Sequence, residues 1–412
     1  MQQPLDRLAA GLSAGPLVRH LEGFFRDHPD LHMKDMTVEE TGPDRQIKLA
    51  GRWVTNFGSD SFLGLDRDPR LHDAVRLGLD RWGTHNGSSR AFSSVESNVE
   101  AENKVAAWLG ADSALIYPSV TLTNLGALPA LLTRQDAVVT DQYAHHSVQQ
   151  GVKLAKAGGV KTGAFAHNDP ADLDRVLRQM RPYRSAVVAV DGVYSMTGTL
   201  AALAELREVA TAHDAILYVD DAHGTGVLGT RGRGTVLDAL GDYANTIVVG
   251  SLSKAVSCFG GFVACTERIR FLLKLRSAPL IFGGPVPPPY LDAVCAAVDI
   301  LGDAEGDALR ATLGRNMARF CDAARGQGLP VLGGVGAIAS VPVGDEAATL
   351  RAGRAAFDRG YYVQSVIFPA VPHHSGLLRV QINANHHPDE IDGLVGVLGD
   401  VVSRVAAQGR AA

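Results

Sequence analysis

Short runs of β-branched and other apolar residues alternate along the chain with segments whose apolar positions recur at helical spacing. Six runs read as strands: Ala114–Tyr117, Ala137–Thr140, Ala186–Val190, Ala215–Val219, Ile247–Val249 and Phe262–Ala264. They are almost wholly apolar rather than alternating, which is the pattern of strands covered on both faces. Among the intervening helices, Ser97–Leu109 is expected to place Val99, Val105, Ala106 and Leu109 on one face, with Gly110 as the stop. This alternation predicts an α/β protein built on a mostly parallel, doubly covered sheet.

Residues 1–50 read as a helical arm that ends in a short strand pair. The segment GGPVPPPY, Gly283 to Tyr290, reads as a boundary, because successive prolines do not continue a regular element. One long helix is expected from Tyr290 to about Ala324. The strand-like stretches GAIASVPV, YYVQSVIF and LLRVQIN then suggest a smaller α+β unit. The expected division is therefore an arm (1–50), a large domain (51–288) and a small C-terminal domain (289–412).

Composition narrows the class. The chain has 412 residues, 46% hydrophobic and 20% charged, as in ordinary soluble globular proteins. Its 39 basic and 44 acidic residues leave a net charge of −5, which gives no global indication of a nucleic-acid partner. The N-terminus has no uninterrupted apolar core of a signal peptide, and no apolar run reaches membrane-spanning length. The expected setting is cytoplasmic, without a membrane partner. Cys258, Cys265, Cys295 and Cys321 have no metal-type spacing, so no metal site is expected.

In an open parallel sheet, ligands collect beyond the carboxyl ends of the strands. Five loops there carry the chemistry: PSVTLTN (118–124), DQYAHHS (141–147), DGVYSMTG (191–198), DDAHGTG (220–226) and GSLSK (250–254). Lys254 stands between two apolar runs, and a buried ammonium is costly unless paired or chemically used. The stretch GTGVLG fits a dinucleotide fingerprint, but Asp220–His223 separate it from the strand it should follow directly. GSLSK lacks the spacing of a phosphate-binding P-loop.

Pyridoxal 5'-phosphate fits these groups better. A lysine amine condenses with its aldehyde, which gives Lys254 a use in a dry pocket. Asp220, at the end of ILYV, is placed to keep the pyridine nitrogen protonated, and His223 to meet the phenolic oxygen. Ser251, Ser253, Ser119 and Thr121 are candidates for the phosphate, beside free backbone N–H groups. Each residue taken alone has a structural reading as well. Aspartate and serine cap helices and turns, and Arg379 in a strand often just faces solvent.

With these motifs the sequence resembles the α-oxoamine synthases, enzymes of the aspartate-aminotransferase fold. The resemblance runs from about Phe57 to His386 through FLGL, SSRAFSS, DQYAHHS, DGVYSMTG, VDDAHGTGVLGTRGRG, SLSK and LLRVQINANH. It implies a seven-stranded, mostly parallel sheet with a small C-terminal domain, and a homodimer with active sites at the interface. It also implies that His145 stacks over the cofactor ring, that Ser195 lies near the phenolic oxygen and that Arg379 binds the amino-acid carboxylate. The implied reaction joins a small amino acid to an acyl thioester, on coenzyme A or a carrier protein, with decarboxylation to an α-amino ketone. An aminotransferase, decarboxylase or cyclase would use the same cofactor set. Departures from the family pattern gather around the substrate and phosphate sites. Asp60 replaces an asparagine near the substrate carboxylate, and Val120–Thr121 replaces a glycine–aromatic pair at the phosphate. Asn98 lies near where a histidine is expected. Thr197 replaces an acid, and Gly283–Gly284 replaces hydroxyl residues that reach the neighbouring subunit.

Overall fold

The computed structural model describes residues 3–31 and 36–411. At its centre is a seven-stranded sheet with the spatial order Ser113–Tyr117, Gly261–Cys265, Thr246–Ser251, Ala215–Asp220, Ala186–Asp191, Ala137–Asp141, Lys161–Phe165. Only Gly261–Cys265 runs antiparallel to its neighbours. All six expected strands form. The seventh, Lys161–Phe165, lies at the edge, where four of its five residues keep some exposure and no apolar run is needed.

Alternate side chains of each strand enter opposite cores, the period-two consequence of the pleat. Ile116, Val139, Val188, Val190, Leu217, Val219, Val248 and Phe262 join the larger core. Leu115, Tyr117, Val138, Val187, Ala189, Tyr218, Val249 and Val263 join the other. Burial on both faces is why the strands read as unbroken apolar runs.

Two helical expectations need correction. In Glu96–Leu109, Val99 is 45% exposed, and the buried face instead carries Ala101, Val105, Trp108 and Leu109 with the polar Ser97, Asn98 and Glu102. Two of these polar side chains have partners that let them enter the buried face, Ser97 donating to Asp292 and Glu102 pairing with buried Arg90. Glu102 is buried because it pairs with Arg90 at 2.8 Å and accepts from the Ile116 N–H. Gly110 ends this helix in the left-handed conformation, as expected. The long helix is two, Pro288–Leu301 and Ala304–Gly326, broken where Asp303 caps the second one. Pro288 and Pro289 sit in the first turn, where a missing N–H costs nothing.

The C-terminal strands form an antiparallel sheet of order Leu332–Gly333, Ile338–Gly344, Gly376–Gln381, Gln364–Val366. The arm has helices Pro4–Ser13 and Pro16–Asp27, neither with a buried residue. Three further strands, Val38–Thr41, Gln46–Leu49 and Arg52–Asn56, pair with one another and with Tyr361–Tyr362. Phe57–Ser61, which follow Arg52–Asn56, and the strand bearing Arg379 are thereby brought to the carboxyl edge of the central sheet. Among the described residues no helix is long and apolar enough to cross a membrane.

Candidate active site

Strand register aligns the reactive loops. Asp191 lies opposite Asp220, and Asp220 opposite Val249, so the loops after these strands leave one edge together. The antiparallel strand begins at the same edge, with Gly261 between Tyr117 and Ser251. A Cβ on Gly261 would lie 2.6 Å from the Val120 backbone nitrogen, so glycine permits the close approach of two backbones.

At that approach the helix Val120–Leu131 begins, and Ser119 caps it through the Leu122 N–H at 3.1 Å. The adjoining Thr121 is exposed. On the other side of Gly261, buried Ser251 lies 3.2 Å from the hydroxyl of exposed Ser253 and accepts from its N–H. The predicted phosphate residues Ser119, Val120, Thr121, Ser251 and Ser253 therefore flank one glycine. A helix start with free N–H groups and nearby hydroxyls favours an anion.

Lys254 follows that turn. Its Nζ lies 3.0 Å from Nε2 of His223, the closest polar contact between the two predicted residues. Burial lowers the Lys254 pKa, and the carboxylates of Asp220 and Asp60 oppose that effect. Burial also takes His223 well below the usual imidazole range, aided by the Lys254 charge. His223 Nδ1 is buried with no hydrogen-bond partner among the described residues. A buried ring nitrogen without a partner is the kind of group that a bound polar ligand satisfies.

Asp220 is 4% exposed and is held by two donors: Asn124 Nδ2 at 2.7 Å and the Ala222 N–H at 3.2 Å. Asn124 also donates to Ser147 Oγ and accepts from Tyr218. Ser147 Oγ lies 2.7 Å from Nδ1 of His145, whose pKa burial lowers. A chain of contacts thus joins His145 to Asp220. Neither Asn124 nor Ser147 was singled out by sequence reasoning, although both lie in the loops PSVTLTN and DQYAHHS. Asp191 accepts from the His145 N–H, and burial beside Asp220 raises its pKa well above the usual carboxylate range.

Arg379 is 4% exposed in the C-terminal sheet. Its Nε donates to the Ser195 carbonyl at 2.6 Å and its Nη1 to Gln364 Oε1 at 2.6 Å. Ser195 therefore meets Arg379 through its backbone. Asp60 lies 3.7 Å from Arg379 Nη2, and its carboxylate accepts from Gln381. Asn98 is buried, and neither side-chain polar atom has a partner among the described residues. Gly283 and Gly284 end a short helix whose last residue, Phe282, is 83% exposed, and Phe92 nearby on the same cleft is 88% exposed.

Residues 52–398 match the aminotransferase class I and II family. The chain is 34% identical over 360 residues to an 8-amino-7-oxononanoate synthase of Bacillus pumilus, covering 87% of this chain and 91% of that one. It is 36% identical over 363 residues to a putative 8-amino-7-oxononanoate synthase of Desulforudis audaxviator, covering 88% and 92%. Among solved structures, a serine palmitoyltransferase from Sphingomonas wittichii superposes with a TM-score of 0.88 at 26% identity, covering 95% of this chain and 98% of that one. A serine palmitoyltransferase from S. paucimobilis, solved with a pyridoxal phosphate adduct, superposes at 0.87, also at 26% identity, covering 95% and 100%. Fold, site composition and kinship agree. The chain belongs to the aminotransferase class I and II family of pyridoxal-phosphate enzymes and, within it, to the α-oxoamine synthases, acyltransferases that join an amino acid to an acyl thioester.

Proposed function

We propose that this enzyme condenses a small amino acid with an acyl thioester, on coenzyme A or a carrier protein, and releases carbon dioxide, free thiol and an α-amino ketone. The observation that carries the reading is the Lys254–His223 contact beside Asp220, at the sheet edge where Arg379 also converges. When bound, pyridoxal phosphate takes up the electron pair left at the amino acid's Cα as a bond there breaks.

The residues divide the remaining work. Ser119, Val120, Thr121, Ser251 and Ser253 would hold the phosphate through hydroxyls and backbone N–H groups. Asp220, fixed by Asn124, would keep the pyridine nitrogen protonated. His223, with Nδ1 unpartnered among the described residues, and the Ser195 hydroxyl would lie beside the phenolic oxygen. His145 would cover the ring face. Arg379 is the partner for the amino-acid carboxylate. Lys254, whose lowered pKa favours the free amine, moves the proton at Cα. The acyl group takes the place of the carboxylate at Cα, and the proton that Lys254 removes from Cα together with one from solvent serve the leaving thiolate and the Cα that carbon dioxide has left.

A homodimer, a cytoplasmic setting and the division at residues 50 and 288 belong to the same reading. The exposed Phe92 and Phe282, which line one cleft, support the dimer, since an apolar surface patch is where a protein partner packs. The test is to titrate the holoenzyme with glycine, alanine, serine and other amino acids while following its visible absorption, and then to add acyl-CoA. The reading expects one small amino acid to change the spectrum and the thioester to change it again. Conversion of the cofactor to its amine form, with no response to thioester, would move the assignment to an aminotransferase.

A further inference from the structure

The amino-acid subsite already contains a carboxylate. Arg379 reaches the site with Nε committed to the Ser195 carbonyl and Nη1 to Gln364. Its remaining nitrogen, Nη2, has Asp60 Oδ1 at 3.7 Å. Gln381 donates to the same Asp60 oxygen, while its own Oε1 is buried with no partner among the described residues. Asp60 is thus oriented by a side chain that is itself fully buried. The two ends of the pair differ in exposure: the Arg379 side chain is 5% exposed and that of Asp60 is 44%. The arginine forms the floor of the subsite, and the aspartate stands at its solvent edge.

We propose that Asp60 is the specificity-determining residue of this subsite, a built-in carboxylate that competes with the amino acid's own carboxylate for Arg379. The proposal rests on the reading that Arg379 receives that carboxylate. A substrate carboxylate arriving at Nη2 comes within a few ångströms of Asp60, and like charges at that range disfavour each other. The pair Asp60–Arg379 is neutral as a unit, so it draws an anion far less than a lone guanidinium would. The subsite therefore binds amino acids with one carboxylate weakly and excludes those whose side chain brings a second one.

The test separates charge from packing. Dissociation constants for glycine, L-alanine and L-serine, and for their uncharged carboxamides, are measured on the holoenzyme by calorimetry, for the native protein and for Asp60→Asn and Asp60→Ala. The carboxamide keeps the size of the ligand and removes its charge. Removal of Asp60 is expected to tighten the acids roughly tenfold and leave the carboxamides within about twofold. Equal shifts for acid and carboxamide, or weaker acid binding in both variants, would overturn the proposal. Arg379→Gln tests the underlying reading separately. If that variant keeps the native preference between acid and carboxamide, Arg379 does not receive the carboxylate, whatever Asp60 does.

Discussion

Asp220 is held by Asn124 and the Ala222 N–H, and each donor stabilises its charge. Losing the side-chain donor to a buried carboxylate costs about 1.5–3 kcal/mol. Asn124→Ala is therefore expected to weaken pyridoxal phosphate binding by at least about tenfold, read by dialysis or fluorescence titration of the apoenzyme. Lys254→Ala should lower turnover by about 10²–10⁴-fold, as expected for loss of a positioned base. The variant should still bind the cofactor through the phosphate and Asp220 groups. Lys254, Asp220 and His223 were legible in the sequence because each stands at the end of an apolar strand or within three residues of it, and the strand ends share an edge. Asn124 was not, because its use depends on a helix from one strand packing over the end of another. The resemblance places Asp60 and Arg379 both at the substrate carboxylate, but their pairing joins the loop after Arg52–Asn56 to the C-terminal sheet and depends on the fold.

Glycines and buried acids set the geometry of whole elements. Gly261 lets the start of the Val120–Leu131 helix approach the antiparallel strand. Gly261→Ala is expected to push that helix start away and to weaken cofactor binding more than it lowers thermal stability. Binding titration and thermal denaturation of one preparation check this. Asp221 organises the turn after Ala215–Asp220 by accepting from the Thr235 N–H and hydroxyl. Burial nonetheless raises its pKa from 3.8 to about 7. Between those values the folded protein keeps a proton that the unfolded chain releases. The contribution of this residue to stability is full below the lower value and is lost as pH rises toward the upper one. Asp221→Asn removes the titration. Native stability relative to that variant should therefore fall from about pH 4 to about pH 7 in parallel denaturant titrations. A flat difference would contradict the assignment. At this scale the buried strands were readable and the edge strand Lys161–Phe165 was not, since a half-exposed edge needs no apolar run. The break between the two helices after Pro288 was also missed, because Gly302 and Asp303 interrupt the helix without a proline to mark the boundary.

At the scale of the molecule, the central sheet, the C-terminal sheet and the N-terminal strands each deliver part of the site to one edge. The exposed Phe92 and Phe282 line one surface cleft. Replacing both with aspartate is expected to shift a dimer toward monomer in sedimentation velocity; a native protein that is monomeric at all concentrations would contradict the dimer. Carbon–carbon bond formation with decarboxylation fixes a stoichiometry. The most direct measurement supplies the holoenzyme with the amino acid found by spectral titration, labelled at its carboxyl carbon, together with acyl-CoA. Released carbon dioxide and free thiol are then counted in the same reaction. One carbon dioxide is expected for each thiol, with both lowered about 10²–10⁴-fold in Lys254→Ala. Carbon dioxide without thiol would mean a decarboxylase, and a keto acid with neither product would mean an aminotransferase.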